Sequence, residues 1–297
     1  MLKKQMHYHL LLLPSLLLTL IFYYVPMFGI IIAFKNFSFR KGVFKSDWVG
    51  LKNFVHFFED MDLVPAVINT IGIGALNIIL AFPAAIVFAL LLNEIRNNKL
   101  KRLVQTVSYL PHFISWVVVS VILITFLSPS EGIINHVLVS LNILKEPVLF
   151  IGKPEYFWGI TVISNIWKET GWSAIIYLAA ITGIDPSIYE ASLIDGSNRL
   201  QRMLYITLPS IKGTIAILLI FAISGIPFIA FDQSYMLGNP LNHERSIVLS
   251  HYVYKLGIEK GQYSYSAAVG LILSIISATF MIIANRLSKK ASGTGVV

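Results

Sequence analysis

Two groups of residues in this chain have the types and the spacing to do chemistry. The first interrupts an apolar run: Asn165, Trp167, Lys168, Glu169 and Trp172, with Gly171 between them able to loosen a helix. Ionisable side chains are costly in hydrocarbon, so inside an apolar segment they mark a pathway or a pairing. Aromatic faces beside hydrogen-bonding groups, gathered here, are chemistry suited to holding a ligand. The set reads as a candidate substrate path; the competing reading is a Lys168–Glu169 pair packed against a partner chain. Asp232, Gln233 and Tyr235, beyond Gly225 and Pro227, which are able to break the fifth apolar segment, suit either the same path or an interfacial cap with a tyrosine belt. His112, with Phe113 and Trp116 after Pro111, reads as a hydrogen-bonded packing histidine rather than a ligand.

The second group is Glu190-Ala191-Ser192-Leu193-Ile194-Asp195-Gly196, followed by Ile206-Thr207-Leu208-Pro209. Asp185 is a good N-cap, Pro186 suits the first helical position, and Gly196 can take the left-handed turn that ends such a helix. A second helix then begins near Ser197 or Asn198. Its stripe is Leu200, Met203, Leu204 and Thr207, with Arg199 and Arg202 on another face. The spacing predicts a capped, charged elbow between two apolar segments, suited to gripping a partner in the cytosol. Asp195 and Arg199 either touch that partner or pair with each other or with lipid.

These groups must be positioned by helices. Six segments, near 9–34, 66–92, 104–128, 158–183, 212–235 and 264–287, are long enough to cross a hydrocarbon core of about 20 residues. Only helices satisfy their own backbone in lipid, so the expected fold class is an all-α integral membrane protein with six transmembrane helices in a single domain, 1–297. Composition agrees: 56% of the 297 residues are hydrophobic and 13% charged, about half the charged share of soluble domains. The net charge of +8 sits mainly in short loops and tails, which fits lipid headgroups better than nucleic acid. Arg96, Lys99, Lys101 and Arg102 crowd one short loop, Lys3 and Lys4 precede the first segment, and Arg286, Lys289 and Lys290 close the last. That density places both termini in the cytosol of a multi-pass protein of the cell membrane. The apolar run from His9 continues to about Phe34 with no small-residue cleavage site, so it reads as an uncleaved span. Outside, Leu51, Phe54, Val55, Phe57 and Phe58 suit an amphipathic helix at the membrane surface, and 129–157 and 236–263 are loops large enough to meet a partner.

The elbow resembles the EAA motif of permease subunits from bacterial ATP-binding-cassette importers: Glu-Ala-Ala, three residues, Gly, nine residues, Ile, one residue, Leu-Pro. Glu190, Ala191, Gly196, Ile206, Leu208 and Pro209 match in spacing, and Ser192 stands at the second alanine. Leu92-Asn93-Glu94-Ile95-Arg96, the run from Val104 to Phe113, Ile166-Trp167-Lys168-Glu169 and Ile175-Ile176-Tyr177-Leu178-Ala179-Ala180 resemble the carbohydrate branch, and within it permeases for polysaccharides or complex oligosaccharides in Gram-positive bacteria. The resemblance implies an importer permease fold whose elbow is the cytosolic coupling helix, with Glu190, Ala191, Ser192, Asp195, Gly196 and Arg199 facing an ATPase. It implies a cytosolic ATPase dimer, a second permease that is a different chain, an extracellular solute-binding lipoprotein and a carbohydrate cargo.

Several classes are excluded. Cysteine is absent, which removes disulfides, thiol catalysis and cysteine metal sites. The chain has no His-Glu-x-x-His, no Gly-x-Ser-x-Gly and no Gly-x-x-x-x-Gly-Lys-Ser/Thr. It is therefore expected to be no enzyme, to hold no metal and no cofactor, and to leave ATP and Mg to the partner ATPase. The alternatives are a permease of the same class for another small solute, or an ion-gradient-driven secondary transporter, which would need a charge relay and no docking elbow.

Overall fold

A computed structural model describes residues 2–293 and 295. Met1 and residues 294, 296 and 297, included in the expected domain 1–297, lie outside the described residues, as do the side chains of Lys3 and Lys4. Contacts divide the chain into two compact units: Met1–Leu63 with Tyr252–Ser274, and Val64–His251 with Ile275–Val297.

In the first unit, α1 (Leu10–Phe34) is apolar on every side, and only 6% of its most apolar window is buried. Such a surface calls for lipid or another protein rather than water. After α1 the chain makes a small antiparallel hairpin, β1 (Lys35–Asn36) with β2 (Asp47–Trp48), in which Lys35 faces Trp48. The buried Lys35 ammonium is satisfied by donating to the carbonyls of Val43 and Phe44 at 2.8 and 3.1 Å. The expected amphipathic helix is α2 (Lys52–Glu59); Phe54 packs on Phe34 with ring centroids 5.0 Å apart, while Leu51, Val55 and Phe58 stay bare. Just beyond it, the Asp60 carboxylate accepts the hydroxyls of Tyr252 and Tyr265 at 2.5 and 2.6 Å. Burial pushes this carboxyl up, but the two hydroxyls, the Asp62 N–H and nearby His56 outweigh it and hold Asp60 below the usual carboxylate range.

In the second unit, α3 (Leu63–Asn93) is followed by α4 (Asn98–Phe113) and α5 (Trp116–Phe126). The 29-residue α6 (Pro154–Thr182) leads to α7 (Pro186–Ile194), α8 (Arg199–Ser210), α9 (Lys212–Ser224) and α10 (Phe231–Leu237). The last helix, α11 (Tyr263–Ser292), belongs to the first unit as far as Ser274 and to the second from Ile275, and carries Lys289 and Lys290 in its final turn, where cations complement the helix dipole. By length and composition α1, α3 and α11 can each cross a membrane, and the bent pairs α4–α5 and α8–α9 qualify when each is taken as one. The six spans expected from the sequence are seen, by length and composition, as three single helices and two bent pairs. The segment expected at 104–128 starts earlier, at Asn98, and breaks by 97° between Phe113 and Trp116. Ile114 and Ser115 there are extended, and the Ser115 hydroxyl caps α5 at Val118. The segment expected at 212–235 stops at Ser224; Gly225 and Pro227 interrupt it and α10 restarts at Phe231.

Proline explains a further irregularity. Val25, Phe82 and Leu208 each precede a proline, and each donates its N–H five residues back, to Leu20, Asn77 and Met203. A proline ring clashes with the carbonyl four residues earlier and offers no N–H, and a widened π turn just before it relieves the conflict without ending the helix. One core of this unit interleaves Ala85, Ala89, Leu90 and Leu92 of α3 with Ala174, Tyr177, Leu178 and Ile181 of α6. The small residues let the two backbones come close. On α6 the expectation that Gly171 loosens the helix is overturned: α6 is continuous, and a Cβ on Gly171 would lie 2.0 Å from the Ser108 carbonyl oxygen. Gly171 is there to let α4 and α6 touch.

Candidate functional site

The polar interruption of α6 lines a cavity of about 410 Å³ walled by α3, α6 and α9. Asn165, Glu169, Thr170, Trp172 and Ser173 come from α6, Gly74, Asn77 and Phe82 from α3, and Leu218 and Phe221 from α9. Asn165 donates to the Asn77 side-chain oxygen at 2.7 Å, and Asn77 donates to the Ile73 carbonyl at 2.9 Å. Glu169 uses both oxygens: one lies 2.7 Å from Nδ1 of His112, the other 3.3 Å from Nζ of Lys168. Lys168 is buried and also donates to the His112 carbonyl at 2.6 Å. The imidazole of His112 lies flat against Trp172, with centroids 4.4 Å apart and planes within 1°.

Of the residues expected on the path, Asn165, Glu169 and Trp172 meet at this cavity. Trp167 does not; it is half exposed and absent from the cavity wall, since two to five positions along a helix turn it to another face. Asp232, Gln233 and Tyr235 also lie off the cavity wall: Asp232 is exposed, Gln233 is buried, and Tyr235 stacks on Phe231 at 5.8 Å and edges His251 at 5.5 Å. Asn77, Ser173 and Tyr177 were missed in the sequence. A lone amide in an apolar stretch was the available signal for Asn77, whereas Ser173 and Tyr177 had none. A second hollow of about 630 Å³, lined chiefly by aliphatic groups such as Ile86, Leu208, Ile215, Leu219 and Leu287, lacks the polar groups that read hydroxyls.

The elbow is built by its caps. Asp185 accepts the Ser187 N–H at 2.9 Å, and that bond holds its carboxyl below the usual range. At the other end Gly196 has φ of +79°, and the N–H groups of Gly196 and Ser197 return to the Leu193 and Ser192 carbonyls at 3.1 and 3.0 Å. This reciprocal closure satisfies the last carbonyls of α7 and stops it sharply. Asn198 and Gln201 then form a capping box at the start of α8, with bonds of 2.8 and 2.9 Å. Arg202 donates to the Ser197 carbonyl at 2.8 Å, and the Tyr189 and Thr207 hydroxyls meet at 2.9 Å, joining the two helices.

Glu190, Ala191, Asp195, Gly196 and Arg199 are exposed, and among the described residues no ion pair joins Asp195 to Arg199. Ser192 differs from expectation: it is buried and donates to the Tyr189 carbonyl at 2.8 Å, so its small size serves packing within the elbow. The expected stripe also divides, with Met203 and Thr207 turned inward and Leu200 and Leu204 exposed. Leu193, Ile194, Leu200 and Tyr205 leave large apolar surface bare beside the charged groups, with Ile194 89% exposed.

Residues 77–293 match the family model described as binding-protein-dependent transport system inner membrane component. The chain is 42% identical over 295 residues to Protein LplB of Bacillus subtilis (strain 168), covering 99% of this chain and 92% of that protein. It is 41% identical over 293 residues to the polygalacturonan/rhamnogalacturonan transport system permease protein YteP of the same organism, covering 99% and 91%. Among solved structures, a chain of a bacterial alginate ABC transporter, crystallised with an alginate pentasaccharide-bound periplasmic protein, superposes with a TM-score of 0.90 at 36% identity, covering 99% of this chain and 98% of that chain.

Proposed function

Because the chain belongs to the binding-protein-dependent transport system inner membrane components, we propose that its elbow docks on a separate cytosolic ATPase and that the cavity bordered by Trp172 is its share of a sugar path. The chain is a membrane-integral permease subunit of an ATP-binding-cassette sugar importer, and it is not an enzyme. Its cargo is a carbohydrate, an oligosaccharide or polysaccharide fragment, delivered by a solute-binding protein.

We read six spans, α6 supplying the sixth beside α1, α3, the two bent pairs and α11. α6 falls short on hydropathy because of its charges, yet its 29 residues are about 43 Å long at 1.5 Å each, and Lys168 and Glu169 neutralise one another. An even number of spans with the elbow inside puts both termini in the cytosol. The pathway is completed by a second, different permease chain, and ATP and its Mg belong to the ATPase dimer, since this sequence has no phosphate-binding loop.

The observation that carries the coupling reading is a stiff, capped elbow whose Glu190, Leu193, Ile194 and Leu200 are bare, on a chain whose sequence has no phosphate-binding loop. A short rigid helix seated in an ATPase groove transmits closure of that dimer to α6 and α9 as a lever. In the reconstituted importer, Glu190→Arg and Gly196→Pro should abolish sugar uptake and the ATPase stimulation by loaded binding protein; survival of both activities would remove the elbow from coupling. Trp172→Ala should blunt the response to sugar, and an unchanged response would remove the cavity from the path.

A further inference from the structure

We propose that Lys168 and His112 are positioning residues for this path: Lys168 fastens both halves of the broken helix α4–α5 to α6, and His112, held by Glu169, backs the Trp172 ring so that it borders the cavity as a rigid platform. The proposal rests on reading the cavity as the sugar path.

The break itself creates the need. Between Phe113 and Trp116 the helix turns by 97°, so the last carbonyls of α4 lose their helical partners in an apolar setting. The Lys168 ammonium donates to one of them, that of His112, at 2.6 Å. The same ammonium lies 5.6 Å from the ring centroid of Trp116, the first residue of α5. One cation thus touches both sides of the bend. It sits on α6, is 4% exposed, and is neutralised by Glu169 at 3.3 Å. Close contact of Gly171 with the Ser108 carbonyl keeps α4 and α6 at the short separation this reach requires.

The second link runs from the same carboxylate to the indole. Glu169 binds Nδ1 of His112 at 2.7 Å, which fixes the rotation of the imidazole. The imidazole in turn lies parallel to Trp172 at 4.4 Å, and Phe113 presents its edge to the same ring at 5.5 Å. Trp172 and Glu169 line the cavity, whereas His112, Lys168 and Trp116 do not, so the stack supports the ring from behind. A ring already held in place loses little freedom when a pyranose is laid on it, and that saving appears as affinity. The Lys168 ammonium, both Glu169 oxygens and Nδ1 of His112 are engaged with one another inside the cluster, the arrangement of a fastener rather than of a proton relay.

The experiment uses the complete importer in lipid nanodiscs, measuring sugar-stimulated ATPase against sugar concentration in the presence of binding protein. His112→Ala should raise the half-saturating sugar concentration about tenfold, the upper end of what an aromatic stack contributes, with the maximal rate changed less than twofold. His112→Phe keeps a ring behind Trp172 and should recover most of that loss. Spin labels on exposed Leu103 and Val121 report the bend; Lys168→Met should broaden their distance distribution, and Lys168→Arg should leave it narrow. Should Lys168→Met fail to assemble, Lys168→Arg together with the two His112 variants decides. A His112→Ala importer that only melts earlier, with half-saturation unchanged, would overturn the positioning role while Trp172→Ala still impairs transport. If Trp172→Ala has no effect either, the cavity reading fails and the proposal with it.

Discussion

The cluster on α6 and the elbow of α7 and α8 are both charged interruptions of apolar sequence, yet they spend their polar groups in opposite ways. In the cluster, Lys168, Glu169 and His112 pair across two helices, and their bonds of 2.6 to 3.3 Å leave no formal charge unmatched between the lysine and the carboxylate. In the elbow, Asp185, Asn198, Gln201 and Arg202 serve their own backbone, while Glu190, Asp195 and Arg199 have no ion pair among the described residues. Burying a charge costs too much to leave it unmatched, so the cluster must be complete within this chain. Water solvates the elbow until a partner arrives, so its charges can wait. The contrast separates charges matched within this chain from charges left open to solvent.

Substitutions can break or sharpen this contrast. The largest effect is expected from Glu169→Leu, which strands the buried Lys168 ammonium and should cost about 3 kcal/mol, read as a lower melting temperature of the purified complex. A loss under about 1 kcal/mol would mean that the cluster is not internally balanced. Gly171→Val drives a side chain into the Ser108 carbonyl and should cost about 1–3 kcal/mol in the same assay, with the bend at Ser115 disturbed. Gly196→Ala places a Cβ at φ of +79° and should cost about 1 kcal/mol, with uptake reduced but measurable.

Asp60 tests whether internal pairing also matters outside the spans. Its carboxyl is held below its ordinary value of 3.8, so its contribution is complete above that pH and disappears as acid protonates it below. Melting temperature should therefore fall below about pH 4 in the parent and fall less in Asp60→Asn; equal slopes would contradict a stabilising role for the bonds from Tyr252 and Tyr265 to Asp60. The smallest stability change belongs to Ile194→Ser, within about 0.5 kcal/mol because the side chain is bare. It should nevertheless weaken co-purification of the ATPase, and unchanged co-purification would place the docking face elsewhere.

Much of the elbow was legible because caps act over three or four residues. Asp185, Pro186, Gly196 and Asn198 took the expected positions, and the break at Gly225 and Pro227 was readable for the same local reason. The bend at Ile114 was not, because neither residue is a glycine or proline and the carbonyl it frees is satisfied by a lysine far along the chain. Ser192 was misplaced because a small residue suits an interface and a tight turn equally well, and its hydroxyl bond to Tyr189 decided between them. Trp167 and Trp172 are equally aromatic in sequence; helical phase relative to α3 and α9 put only Trp172 on the cavity wall.

By itself the sequence determined the solvent of the protein, the helical state that lipid imposes and the capped elbow, since each depends on composition or on neighbours within one turn. Only the tertiary structure decided which buried groups meet. His112 reaches Glu169 across 57 residues and Asn77 reaches Asn165 across 88, and in an apolar interior such pairs are chosen by where the helices pack, which no local rule encodes.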